Sequence, residues 1–229
     1  MKTIGLLGGM SWESTAHYYA ILNREVAQRA GETHSARIAM LSVDFAEFRG
    51  LMERGEWDAL ARRLGEEAAL VEAAGAECLV IATNTMHFAA DRIAASIGIP
   101  LLHIADAAGR HVVAAGVRRV GLLGTAFTMD QPFYRERLEG LGVEVLVPGA
   151  EERAELHRII FEELVSGIVR PESRAALLAM IEPLRARGAE GVILGCTEIM
   201  LLIGQDDTDL PVFDTTTLHA MAAVEFALG

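Results

Sequence analysis

The sequence predicts an α/β protein made of two lobes of one plan, each a parallel sheet with helices on both faces, related by a pseudo-twofold axis. Three observations predict it. Short apolar runs alternate with helical patterns along the whole chain, the second half repeats the first, and each buried run ends in a turn of small or hydroxyl residues. Strands separated by helices of this length form parallel sheets. The expected lobes are residues 1–105 with 214–229, and residues 106–213.

The repeat is visible in paired segments. Residues 2–19 read KTIGLLGGMSWESTAHYY and residues 118–134 read RRVGLLGTAFTMDQPFY. Residues 75–106 open GAECLVIATNTMHF, and residues 188–217 open GAEGVILGCTEIML. Gly5 to Gly121 is 116 positions, Thr83 to Cys196 is 113 and Pro100 to Pro211 is 111. Self-similarity at one period marks an internal duplication. In the first copy strands are expected at 3–8, 37–43, 78–83 and 100–104. In the second they are expected at 118–124, 143–147, 190–195 and 211–214. Helices are expected near 14–30, 57–74, 86–97, 106–116, 131–141, 151–166 and 171–187, the last opened by Pro171. A final helix follows Asp214 and returns to the first lobe.

Composition narrows the function. The chain has 229 residues, 52% apolar, with a formal net charge of −12. No apolar run is long enough to cross a membrane, and the start MKTIGLLGGMSWEST lacks the apolar core of a signal peptide; a cytoplasmic location is expected, with no membrane partner. Such a charge repels phosphate backbones, so nucleic acid is not an expected partner. Two cysteines, Cys78 and Cys196, form no disulfide framework and no zinc-ligand pattern, and the seven histidines are scattered. No metal is expected. Lys2 is the only lysine and precedes the first strand. Pyridoxal-phosphate enzymes need a lysine Schiff base, so amino-acid chemistry here would need no cofactor.

Ligands of parallel sheets bind beyond the carboxyl ends of strands. Four such ends carry polar residues: Gly8–Ser11, Thr83–Thr85, Thr125–Thr128 and Cys196–Glu198. Two facing lobes would place one site in the cleft between them. Thr85 and Glu198 also suit helix caps. Cys196 follows the apolar run Val192–Gly195 and precedes a predicted helix, whose dipole would favour a thiolate. Cys78 lies mid-strand and reads as core.

The pair TNTMH (Thr83–His87) and GCTE (Gly195–Glu198), with the opening GLLGGMSWEST, resembles the aspartate/glutamate racemase family along essentially the whole chain. The resemblance implies two lobes, a homodimer and a small-molecule amino-acid substrate. It further implies a pair of cysteines that remove and return the α-proton on opposite faces. Here Thr83 stands at the first cysteine position and Cys196 at the second, which resembles a subgroup specific for aspartate and glutamate. The family's active-site lysine has no counterpart in Ile160–Leu164. The resemblance therefore implies a cofactor-independent racemase with Cys196 and Thr83 as the proton-transfer pair and turnover favouring L to D. Asn84, Thr85 and Thr197 would stabilise the carbanion and Met10 and Ser11 would line the cleft. Thr125, with Thr128, would hold the distal carboxylate, and Glu163 would meet the ammonium group.

Other residues carry two readings. His87 lies one helical turn after Thr83, as an orienting group or as a helix-surface or interface histidine. Asp106 and Asp214 read as helix caps. Trp12, Trp57, Tyr18 and Tyr19 read as core or dimer surface, and 151–158 as a solvated helix face. Rival functions are an arylmalonate decarboxylase, a hydantoin racemase, a maleate isomerase and a non-catalytic amino-acid binding protein. A nucleotide-binding module is disfavoured because GLLGGMS lacks both G-x-G-x-x-G spacing and a phosphate-loop lysine.

Overall fold

A computed structural model describes all residues, Met1–Gly229. The chain divides into two compact units, Met1–His103 with His219–Gly229, and Ile104–Leu218.

In the first unit β1 (Ile4–Gly8) leads into α1 (Trp12–Ala30), then β2 (Ile38–Ser42), α2 (Phe45–Glu53), α3 (Trp57–Ala73), β3 (Cys78–Ile81), a 3-10 turn (Thr85–Ala89) and α4 (Ala90–Ala94). The strands are parallel in the order β2-β1-β3. Every residue of β1 and β3 is buried, as a sheet covered on both faces requires. Alternate side chains feed different cores. Leu7, Leu79 and Ile81 pack with Phe48, Leu60 and Leu64. Ile4, Leu6, Cys78 and Val80 pack with Tyr18, Leu22 and four residues of the chain's last helix, Ala220, Ala223, Val224 and Ala227.

The second unit opens with α5 (Ile104–Ala114) and β4 (Arg119–Gly124), followed by α6 (Ala126–Asp130), α7 (Pro132–Gly140), β5 (Glu144–Leu146), α8 (Ala150–Glu162), α9 (Pro171–Ala186), β6 (Gly191–Gly195) and β7 (Val212–Asp214). Its sheet is parallel, in the order β5-β4-β6-β7. Helix α10 (Thr215–Leu228) begins in this unit and ends in the first. Asp214 caps it, accepting from Thr216 N–H at 3.0 Å and from Thr217 Oγ1 at 2.6 Å.

The strand registers carry the duplication to single residues. Leu7 pairs with Ile81 and Leu123 with Leu194, at the offsets of 116 and 113 read from the sequence. The pair Leu79–Leu101 corresponds to Val192–Val212.

Several expectations are corrected. The strand at 100–104 shrinks to one bridge at Leu101, with Leu79 N–H donating to Pro100 O and Leu102 N–H to Leu79 O. The helix at 86–97 is a 3-10 turn followed by five residues of α4. Helix α2 has no counterpart among the expected helices. Asp106 is not a cap: it lies inside the first turn of α5, where Oδ2 accepts from Arg137 at 2.8 Å. Trp12 and Tyr19 are exposed, at 66% and 51%, whereas Tyr18 is fully buried.

Candidate active site

The first unit brings two turns together at the carboxyl ends of β1 and β3. After β1 the chain reverses at Gly9, whose φ of +93° favours glycine and whose Cβ would collide with the Val43 backbone. Gly9 N–H donates to Thr15 Oγ1 at 2.8 Å, and that hydroxyl donates to Ser11 O at 2.8 Å. Ser11 caps α1, its Oγ accepting from Ser14 N–H at 3.3 Å. Ser14 Oγ donates to Ala82 O at 3.3 Å and so ties this turn to the one after β3. Met10, Ser11, Thr83, Asn84 and Thr85 therefore share one strand-end region, all buried to within 8% exposure.

His87 closes the second turn. Its Nδ1–H donates to Thr83 O at 2.8 Å, and its ring lies edge-on to His103 at 4.6 Å and to His219 at 5.6 Å. A carbonyl can only accept, so this bond fixes the proton on Nδ1. His87 is 2% exposed, which removes the reading of a surface histidine. Lys2 is placed away from these turns, at the amino end of β1, with Nζ over the Phe226 ring at 4.2 Å.

The second unit repeats the arrangement at the ends of β4 and β6, which are neighbours at Gly124 and Gly195. Thr125 Oγ1 accepts from Thr128 N–H at 3.2 Å and lies 3.1 Å from Thr128 Oγ1, so both threonines belong to the cap of α6. Ala126 N–H donates to His157 Nδ1 at 3.3 Å. Burial lowers the His157 pKa, in keeping with a neutral ring accepting at Nδ1. Nothing local in the sequence singles out His157, because its partner is reached only through the packing of α8 on α6.

Cys196 follows β6 directly and is 7% exposed. Its Sγ–H donates to Glu198 Oε2 at 3.0 Å, and Thr197 Oγ1 donates to the same oxygen at 2.8 Å. Burial pushes the Cys196 pKa well above the ordinary thiol value, and the charge of Glu198 adds to the rise; the N–H groups of Glu198 and Thr197 pull the other way. The expected resting thiolate is thus corrected to a thiol. No long helix follows to supply a dipole: the next element is a 3-10 turn of three residues, Ile199–Leu201. Glu198 stands at the cap position of that turn, but its side chain makes no capping bond there; its carboxylate binds the thiol and the Thr197 hydroxyl instead. Cys78 forms the contrast. It is fully buried in the sheet core, and burial raises its pKa to about 11.

Glu163, expected to meet the ammonium group, lies in a network of charged and polar side chains. Its Oε1 accepts from Arg158 at 2.9 Å and its Oε2 from Ser173 at 2.5 Å, with Arg170 at 3.8 Å. The Ser173 hydrogen bond first, and then Arg158, lower its pKa. This carboxylate is committed to an ion-pair network between α8 and α9.

A family model for Asp/Glu/Hydantoin racemase matches residues 7–223. The chain belongs to that family. A Yersinia pestis chain of known structure, provisionally described as an Asp/Glu racemase, is 49% identical, with full coverage of both chains and a TM-score of 0.94. An aspartate racemase homologue from Pyrococcus horikoshii OT3 is 36% identical over the whole of both chains, with a TM-score of 0.88. The broad specificity amino-acid racemase RacX of Bacillus subtilis is 22% identical over 99% of this chain and 98% of its own length. The named racemases among these relatives are isomerases. No helix is long and apolar enough to cross a membrane.

Proposed function

We propose that this racemase acts on aspartate or glutamate without a cofactor, with Cys196 and Thr83 serving the two faces of the α-carbon. The observation that carries the reading is the matched placement of these residues. Each follows the central-strand neighbour of its own unit, β3 or β6, at positions that the strand registers make equivalent. A racemase needs one proton-transfer group on each side of a planar carbanion, and duplicated units supply such a pair. The relatives described as aspartate or Asp/Glu racemases favour a dicarboxylic substrate.

In this reading the Cys196 sulfur, once deprotonated, takes the α-proton of the L-enantiomer. Thr83, directly or through a water, delivers a proton to the opposite face. The main-chain N–H groups of Thr197 and Glu198, which favour negative charge on the sulfur, and the side chains of Asn84, Thr85 and Thr197 stabilise the developing negative charge. Met10 and Ser11 line the substrate, and Thr125 with Thr128 holds the distal carboxylate. Glu163, held by Arg158 and Ser173, would meet the ammonium group. A threonine hydroxyl is a far weaker base than a thiolate, so kcat from L to D exceeds kcat from D to L. The two values of kcat/KM must still be equal, because the equilibrium constant of a racemisation is one. A homodimer in the cytoplasm accompanies this reading, and sedimentation would measure the oligomer.

The test is a panel of L- and D-amino acids and a malonate in heavy water, with no added pyridoxal phosphate, read by mass shift and chiral separation. Aspartate or glutamate should gain one α-deuterium and invert. Deuterium entering no amino acid, or decarboxylation of the malonate alone, would overturn the reading.

A further inference from the structure

The proposed reaction asks most of its weaker group. The Thr83 hydroxyl must meet one face of the α-carbon, and an error of about 1 Å in such a placement costs about 100-fold in rate. The sheet alone does not set that placement. The ladder between β1 and β3 ends with Ala82 N–H donating to Leu7 O at 2.9 Å, one residue short of Thr83. Beyond it the backbone folds back, with Thr83 N–H donating to Ile81 O at 2.8 Å. The Thr83 carbonyl then accepts from His87 Nδ1–H at 2.8 Å. The peptide groups on both sides of the Thr83 α-carbon are therefore engaged, and the second is held by a side chain.

That side chain is itself fixed. His87 is buried, with the His103 ring edge-on at 4.6 Å and the His219 ring at 5.6 Å. His219 is locked in turn. Its Nε2–H donates to Leu102 O at 2.7 Å, and its Nδ1 accepts from Tyr18 Oη–H at 3.0 Å. His103, His219 and Tyr18 are all buried, and all belong to the first unit. The second unit has no such device. At the offset of 113 that matches Thr83 with Cys196, His87 corresponds to Met200, a thioether that can donate nothing. There the carbonyl of Cys196 accepts from a main-chain group, Ile199 N–H, at 3.2 Å. The histidine strut is present only at the end that carries the hydroxyl.

Resting on the racemase reading, we propose that His87 is a positioning residue for Thr83: its bond to the Thr83 carbonyl sets the aim of the hydroxyl, and the buried cluster of His103, His219 and Tyr18 fixes its ring. His87 gains and loses no proton in the reaction. The carbonyl it holds can only accept, so the role requires the proton to stay on Nδ1. Because His87 acts through Thr83, it serves inversion, which needs both faces of the α-carbon. It has no part in exchange at the Cys196 face.

His87→Leu and His87→Asn test the assignment, each alone and the first also combined with Thr83→Ala. Leucine removes the donor, whereas asparagine puts an Nδ2–H where Nδ1–H stood. His87→Leu should lower inversion about 30-fold through kcat, with KM changed by less than about threefold. Deuterium wash-in at L-substrate should stay within about threefold of the unmodified protein. His87→Asn should bring inversion back to within about threefold. Adding His87→Leu to Thr83→Ala should cost nothing further, since residues acting through one another are not additive. Inversion and wash-in falling together at unchanged melting temperature, no rescue by asparagine, or a multiplied loss in the double variant overturns the proposal. Long-range proton–nitrogen NMR of labelled imidazoles reads the bond without turnover. The signals lost in His87→Asn should be those of a neutral ring protonated at Nδ1. If the unmodified protein exchanges no α-proton, the racemase reading itself fails. If it racemises while His87 carries its proton on Nε2, only the positioning role falls.

Discussion

The two strand ends that follow β3 and β6 occupy equivalent places in repeated units, yet they carry different chemistry. After β6, a thiol lies against a carboxylate that a neighbouring hydroxyl holds in place. After β3, the equivalent residue is Thr83, whose carbonyl is held by His87 and whose neighbours tie it to the turn after β1. The backbone plan is shared, but only one end has a group that can become a strong carbon base near neutral pH. In the proposed reaction, the duplicated scaffold would fix where proton transfer occurs, and the side chains at each end would decide how fast it runs in each direction.

The largest break in this comparison should come from Cys196→Ser. Both racemisation and α-deuterium uptake should fall by about 10³-fold, since a serine hydroxyl is a much weaker proton-transfer group at this position. Retention of most activity, measured by chiral chromatography, would remove Cys196 from the mechanism. Thr83→Ala should be next, lowering racemisation about 100-fold. It should spare deuterium wash-in at L-substrate, where Cys196 takes the α-proton, exchanges it with heavy water and returns a deuteron to the same face. Equal loss of wash-in and inversion would show that the two ends do not act on separate faces. Thr83→Cys sharpens the comparison instead of breaking it. A second thiol should move the ratio of the two kcat values toward one, as read by following circular dichroism from each enantiomer.

The smallest expected effect concerns the two thiols. Burial raises the Cys78 pKa to about 11. A thiol that holds its proton longer when folded than when unfolded contributes stability that is complete below the unfolded value. That stability is lost as pH rises through the folded value. Cys78→Ala should therefore reduce the loss of stability between about pH 8.5 and 11 by about 2 kcal/mol. Urea unfolding at the two pH values measures it, and an unchanged slope would mean that the core thiol titrates in neither state over this window.

Much of this was legible in the sequence because periodicity and turn chemistry are local. The all-apolar runs in β1, β3 and β6 mark strands buried on both faces, and equal offsets between Gly5–Gly121 and Thr83–Cys196 anticipate the register pairs. Other features depend on tertiary surroundings. Residues 100–104 have strand composition, yet the sheet offers them one bridge at Leu101. Glu198 suits a cap or a hydrogen-bond acceptor equally well, and only its distance to Sγ separates the two. The ionisation of Cys196 was misread for a related reason. A helix pattern after a strand suggests a dipole, but the segment winds into a three-residue turn, and burial then dominates the thiol's acidity. The partners of Glu163, Arg158 and Ser173, are likewise set by the packing of α8 and α9.

The last helix has a consequence for the order of assembly. Ala220, Ala223, Val224 and Ala227 complete the core beneath Ile4 and Leu6, and Lys2 N–H donates to Ala227 O. During synthesis the first strand emerges early, but one side of its sheet is covered only by α1 until residues 219–229 leave the ribosome. The unit that is begun first is finished last. A nascent chain stalled before residue 219 should keep that apolar face open to chaperones, while Ile104–Leu218 already has every residue of its own core.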